Sequence, residues 1–220
     1  VKLSSVVAVG LAGLSVAASA DQTNTSSSGK VLNPWLIRLR ALDMVPANQS
    51  RAFSALGLNF PNNAVSLSTK VFPEVDVSYF FTPNIVAELV LTYPQQHNVS
   101  LQGVGHIGTV THLPPTLMLQ YHYPIPNSPV TPYAGIGVNY TMITAANLSA
   151  GGTALNVTRN SVGFAYGAGV DIALDKNWSL NFDFKHVYIG TNVKVKTSGA
   201  ILTNLDVNPN LFSVGIGYRF

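Results

Sequence analysis

Eight stretches of the chain alternate apolar and polar residues, and their charges fall almost entirely on one parity, opposite an apolar row. Nine charged residues obey this rule: Arg38, Arg40, Glu74, Asp76, Glu88, Asp171, Asp183, Lys185 and Arg219, with Asp43, beside the end of its stretch, as the exception. Side chains alternate faces along a strand, so the pattern demands a sheet with one apolar surface and one that tolerates charge. A soluble sandwich meets the same demand by packing apolar rows against each other, so parity alone leaves the solvent open.

The rest of the chain narrows it. Residues 1–20 read as an export signal: a lone Lys2, an apolar run, and the small-residue ending Ala18-Ser19-Ala20 before Asp21. Residues 21–34 then read as a polar periplasmic leader, and 35–220 as the folded unit. No later stretch approaches the roughly 18 apolar residues of a spanning helix. A membrane protein built from this chain must therefore be a closed barrel, since only helices and closed sheets satisfy their backbone groups in lipid. Only 10% of residues are charged and 47% hydrophobic, against about 25% charged in an ordinary soluble domain. The absence of cysteine removes disulfides and thiolate chemistry. A net charge of +3 on scattered basic residues argues against a nucleic-acid partner.

The segments expected as strands are 35–44, 71–81, 84–93, 115–123, 132–142, 161–172, 178–188 and 211–220, each close to the 9 to 11 residues of a tilted spanning strand. Their connections alternate between short turns and long loops, the mark of an eight-stranded antiparallel transmembrane β-barrel of the bacterial outer membrane, with long loops outside. Trp35, Tyr79, Phe81, Tyr121, Tyr123, Trp178, Tyr188 and Tyr218 lie near strand ends, where amphipathic rings favour the headgroup level.

Eight strands enclose a space just wide enough for side chains or one small ligand, which rules out a general porin. Arg38, Arg40, Glu74, Asp76, Glu88, Asp183 and Lys185 are expected to form a paired layer across the interior, because partly buried charges must offset their desolvation. Toward the extracellular ends the inward rows turn apolar at Leu42, Met44, Phe72, Val90, Met118, Val187 and Leu211. These seven are expected to line a dry cup for a small apolar ligand, or to pack themselves shut. The apolar loop residues Phe53, Leu56, Leu58 and Phe60 favour the cup.

Several strings resemble the outer membrane protein W family: Trp35-Leu-Ile-Arg-Leu-Arg-Ala-Leu-Asp-Met-Val-Pro46, Thr109-Val-Thr-His-Leu-Pro-Pro-Thr-Leu-Met118, Pro132-Tyr-Ala-Gly-Ile-Gly-Val-Asn-Tyr140, Gly169-Val-Asp-Ile-Ala-Leu-Asp-Lys-Asn-Trp178 and Gly217-Tyr-Arg-Phe220. The resemblance spans residues 35–220 and implies an eight-stranded barrel with a narrow hydrophobic channel, taking up small hydrophobic molecules and releasing them sideways through a gap in the wall. Tyr188 and Gly190 stand where many relatives carry acidic residues, which makes the outer rim less charged here. The alternatives are a structural or adhesive surface barrel with a sealed interior and a lipid-modifying enzyme. The enzyme lacks support: His186 has no adjacent serine or acid, and His97, His106 and His112, though able to meet in space, lack zinc-motif spacing. No cofactor or metal is expected, and the expected partners are outer-membrane lipid, small hydrophobic solutes and the outer-membrane assembly machinery, around a monomer.

As the resemblance to outer-membrane barrels implies, Tyr218 and Phe220 are expected to serve as the assembly signal. Deleting Phe220 alone should lower the amount of folded protein in the outer membrane while export continues, as read by heat-modifiable gel mobility of membrane fractions.

Overall fold

The computed structural model describes residues 31, 33–55 and 57–220. The expected signal at 1–20, the leader up to residue 30 and Leu56 lie outside the described residues. Eight wall strands run Trp35–Val45, Lys70–Phe80, Ile85–Thr92, Thr116–His122, Val130–Ala150, Asn160–Ala173, Trp178–Val187 and Asn210–Arg219. Each pairs antiparallel with the next. The first pairs with the eighth from Leu36 opposite Arg219 to Val45 opposite Asn210, which closes the sheet and removes its edges. Among the described residues no helix is long and apolar enough to cross a membrane.

The parity of the charges appears directly in the packing. Along the first strand Leu36, Arg38, Arg40, Leu42 and Met44 are buried while Trp35, Ile37, Leu39 and Ala41 are exposed. Register then opposes charge to charge, Arg38 facing Asp76 and Arg40 facing Glu74 across neighbouring strands. The outward rows form an apolar band of residues such as Leu39, Leu119, Ile136, Val162 and Ile216. Its periplasmic rim is a girdle of edge-to-face rings: Trp35 on Tyr79 at 4.8 Å, Tyr79 on Phe81 at 5.1 Å, Trp178 on Tyr218 at 4.9 Å and Tyr218 on Phe220 at 5.0 Å. Inside that rim Val31 packs with Leu36, Phe80 and Val86, so ordered packing begins before residue 35.

The expected long loops differ most from what is observed, because much of their length is strand. The fifth wall strand runs on to Ala150, past a register shift between Ile143 and Ala145, and pairs there with Gly105–Leu113. Thr153–Val157, Gly190–Val195, Ile201–Asp206 and Gln49–Ser50 continue the sheet on one side, Gln95–Leu101 and Val65–Leu67 on the other. These segments alternate apolar residues with Ser, Thr and Asn instead of charges, so the same period of two is present without the charges that made it legible below.

The two ends of this upper sheet are joined by a side chain. Asn48, at φ 56°, donates from Nδ2 to the Leu67 carbonyl at 3.2 Å and accepts the Leu67 N–H on Oδ1 at 2.8 Å. Its amide thus does for Leu67 what a paired peptide would do. Beside it the Ser50 carbonyl accepts the Asn63 N–H at 2.8 Å, and the Ser50 hydroxyl accepts the Val65 N–H at 3.2 Å.

Leu39 lies on the lipid-facing row between Arg38 and Arg40 and is exposed. Leu39→Arg should therefore destabilise the folded barrel by about 2–4 kcal/mol, the cost of a cation near the bilayer midplane. Urea unfolding in lipid vesicles measures it, with Ser54→Arg in the upper hairpin as a control expected to change little.

Candidate functional site: a charged floor below an apolar chamber

The barrel interior is stratified. At its middle, Glu88 takes Arg38 at 2.8 Å, Arg40 at 2.9 Å and Lys185 at 3.3 Å. Arg40 also meets Asp76 at 2.5 Å and Asp183 at 3.1 Å, with Glu74 farther off at 3.7 Å. Lys185 reaches Asp183 at 2.5 Å. All seven residues expected in this layer are buried and mutually linked.

An eighth charge belongs with them. Asp171 accepts from Arg38 at 2.6 Å, closing the layer on its periplasmic side. Neutral groups that sequence reasoning did not single out complete it: Gln120 donates to Glu88 at 2.9 Å, Asn181 to Asp171 at 2.8 Å, and the Tyr133 hydroxyl to Asp183 at 2.8 Å. His122 stacks on Tyr133 with ring centroids 4.6 Å apart. The signal for these was available, since polar residues on inward parity at the height of the charges must be hydrogen-bonded there. Below, Arg219 lies over the Phe80 ring at 4.0 Å and donates to the Asn33 carbonyl at 2.9 Å.

Above the charges, Leu42, Met44, Phe72, Val90, Met118 and Val187 are buried together, with Leu211 packed against them. They do not line an open cup. The void among them is about 20 Å³, room for one water-sized group. These bulky side chains converge where the narrow wall leaves little space, and they form a packed layer over the charges. The open space lies one storey higher. An apolar chamber of about 240 Å³ is enclosed by the upper sheet, lined by residues including Val65, Val99, Ile107, Ile143, Leu155, Val193 and Leu205, and none of the seven expected residues touches it. Phe53 reaches the chamber and stacks on the buried Phe60 at 4.9 Å, whereas Leu58 points away into solvent.

The wall is interrupted between its third and fourth strands. Val90 pairs with Thr116 and Gln95 with His112, but residues 91–94 and 113–115 between those pairs have no partners in register. Pro94, Pro114 and Pro115 lie in that gap and lack N–H groups to bridge it. The Pro115 carbonyl turns instead to the Tyr140 N–H at 3.0 Å and the Asn139 side chain at 3.3 Å. The small void borders this gap through Thr92 and Pro114.

Of the loop histidines, two meet. His97 and His112 are buried and stacked at 4.9 Å, while His106 is exposed. Burial pushes the His112 imidazole down to about 3, so the ring is neutral at ordinary pH. His186 faces outward, between Tyr166 and Tyr188, and bonds to Asn210 at 2.8 Å.

Glu88→Ala should leave Arg38, Arg40 and Lys185 with one shared counter-charge fewer, and is expected to cost about 3–5 kcal/mol of folding stability. Single-channel recording in planar bilayers should also show raised ion conductance relative to wild type, because the layer at that height is what fills the lumen.

Residues 28–220 match the OmpW family. The uncharacterized outer-membrane protein y4mB of Sinorhizobium fredii is 37% identical over 193 residues, covering 86% of this chain and 81% of that protein. Outer membrane protein W of Vibrio cholerae is 34% identical over 154 residues, covering 66% and 71% of the two chains. Among solved structures, the outer membrane protein OprG of Pseudomonas aeruginosa superposes with a TM-score of 0.73 at 24% identity, over 88% of this chain and 98% of that one, which bears on the fold. The closed eight-stranded wall and the match along nearly all of it lead to one conclusion: the chain belongs to the OmpW family of outer-membrane β-barrel proteins.

Proposed function

We propose that this protein is a passive uptake channel for small hydrophobic molecules, which enter the upper chamber from outside and leave sideways through the interrupted wall into the bilayer. The observation that carries the reading is the chamber itself: about 240 Å³ of aliphatic-lined space above a lumen filled by ion pairs. An apolar cavity of ~150 Å³ already admits a molecule the size of benzene. A solute burying roughly 200 Å² of apolar surface gains about 5 kcal/mol at ~25 cal/mol per Å², before the costs of association.

The charged layer gives such a solute no downward route, since displacing Glu88 or Arg40 would leave their partners unpaired in low dielectric. The interruption bordered by Pro94, Pro114 and Pro115 offers the sideways one. A structural or adhesive barrel with a sealed interior would have no use for either feature.

The test is uptake of a hydrophobic fluorescent tracer by cells lacking the gene and complemented with variants. Ile143→Asp places a charge in the chamber wall and should reduce uptake to near the level of the deletion strain, with the folded barrel still present in the membrane. Replacing Pro94, Pro114 and Pro115 together by alanine restores three N–H donors to the gap and should slow tracer transfer to the bilayer several-fold. Equal uptake by wild type, Ile143→Asp and the deletion strain would remove the channel reading and leave the structural barrel.

A further inference from the structure

Resting on that reading, we infer that His112 and the small void beneath the chamber form a polar subsite, so that the favoured solutes carry one neutral hydroxyl or carbonyl oxygen on an aliphatic body. His112 is one of two residues, with Ile189, that touch both the large chamber and the small void. Its Nε2 is buried and has no hydrogen-bond partner, and neither has the buried Thr92 hydroxyl at the same void. A void of about 20 Å³ matches one oxygen in size. An aliphatic tail can occupy the chamber while its oxygen sits below, between a ring nitrogen and a hydroxyl that each lack a partner.

The ring is held for this role. His112 stacks on His97, and His97 donates from Nδ1 to the Ser68 carbonyl at 2.9 Å, which fixes the ring it stacks on. The imidazole of His112 is neutral, so its Nε2 serves a neutral group as donor or acceptor but brings no charge to a carboxylate. An ionised head would also meet Glu74 at the void, while the Lys185 ammonium there is already shared by Asp183 and Glu88. Buried polar groups left unmatched are costly, which is what turns this site from tolerance of an oxygen into preference for one.

Three probes of equal chain length separate the cases: n-octanol, n-octane and octanoate, titrated into the full barrel in lipid nanodiscs. Chamber methyl resonances of Ile143 report entry, and the ¹⁵N resonance of His112 reports the contact. In wild type, n-octanol should shift both signals, n-octane the methyl signal alone, and octanoate should bind more weakly than n-octanol. His112→Phe keeps a stacked ring without the nitrogen and should reduce the n-octanol to n-octane affinity ratio roughly three- to tenfold, the worth of one hydrogen bond; His112→Gln should restore part of it.

Entry of n-octanol with an unmoved His112 ¹⁵N signal, or an unchanged affinity ratio in His112→Phe, overturns the polar subsite and leaves the hydrophobic channel standing. Failure of every probe to perturb Ile143 in wild type overturns both. Should His112→Phe fail to fold, the wild-type ¹⁵N titration decides alone.

Discussion

The rest of the barrel is arranged around a buried carboxylate shared by three cations. Glu88 holds Arg38, Arg40 and Lys185 within 3.3 Å, and each of those cations reaches on to another strand. Such a network adds little net stability over an apolar core of the same shape, because every ion in it has given up water. It adds uniqueness. A one-residue slip of any wall strand would turn its charge into lipid and strand the partners, so the network fixes register on the first, second, third, sixth and seventh strands together. It also decides where a solute cannot go, which leaves the upper chamber with a closed floor.

That logic explains what was legible in the sequence. Charge on one parity is a strong signal because lipid punishes the alternative, and seven of the eight wall strands lie within two residues of the expected bounds at both ends. Asp171 was read as inward but left out of the layer, since its link to Arg38 depends on the reach of a guanidinium and not on parity. The upper sheet was read as loops because water surrounds it and imposes no such penalty. Segments like Gln95–Leu101 and Gly190–Val195 carry Asn, Ser and Thr where the lower wall carries charge. The same limit misplaced the chamber by one storey: the seven apolar residues from Leu42 to Leu211 are inward, but whether inward apolar residues fill a space or line one depends on wall radius, which a period of two does not encode.

The chamber exists because the wall above the membrane is built differently from the wall within it. Below, register is continuous and the interior is filled. Above, added strands enlarge the circumference, and the closing seam between Asn48 and Leu67 is made by a side-chain amide instead of a peptide ladder. A side chain at positive φ can release and re-form such a bridge with fewer backbone torsions than a ladder would need. Stability in this region therefore rests on the chamber's own apolar lining and on a few hydrogen bonds, which places it among the parts of the molecule that open first.

The interrupted wall obeys the rule that forbids unpaired backbone in lipid, and shows how a barrel can have a gap without breaking that rule. Three prolines lower the number of N–H groups needing partners at the opening. The acceptors they leave behind are claimed from the side: Asn139 donates to the carbonyls of Pro114 and Pro115 at 3.2 and 3.3 Å, and the Tyr140 N–H takes Pro115 at 3.0 Å. Asn139 is itself held by Thr141, whose hydroxyl donates to its Oδ1 at 2.6 Å. The fifth strand thus pairs its neighbour by ladder up to Thr116 and by side chain beyond it. A solute crossing there meets carbonyls that are already hydrogen-bonded, so its passage need not leave a peptide group exposed to hydrocarbon.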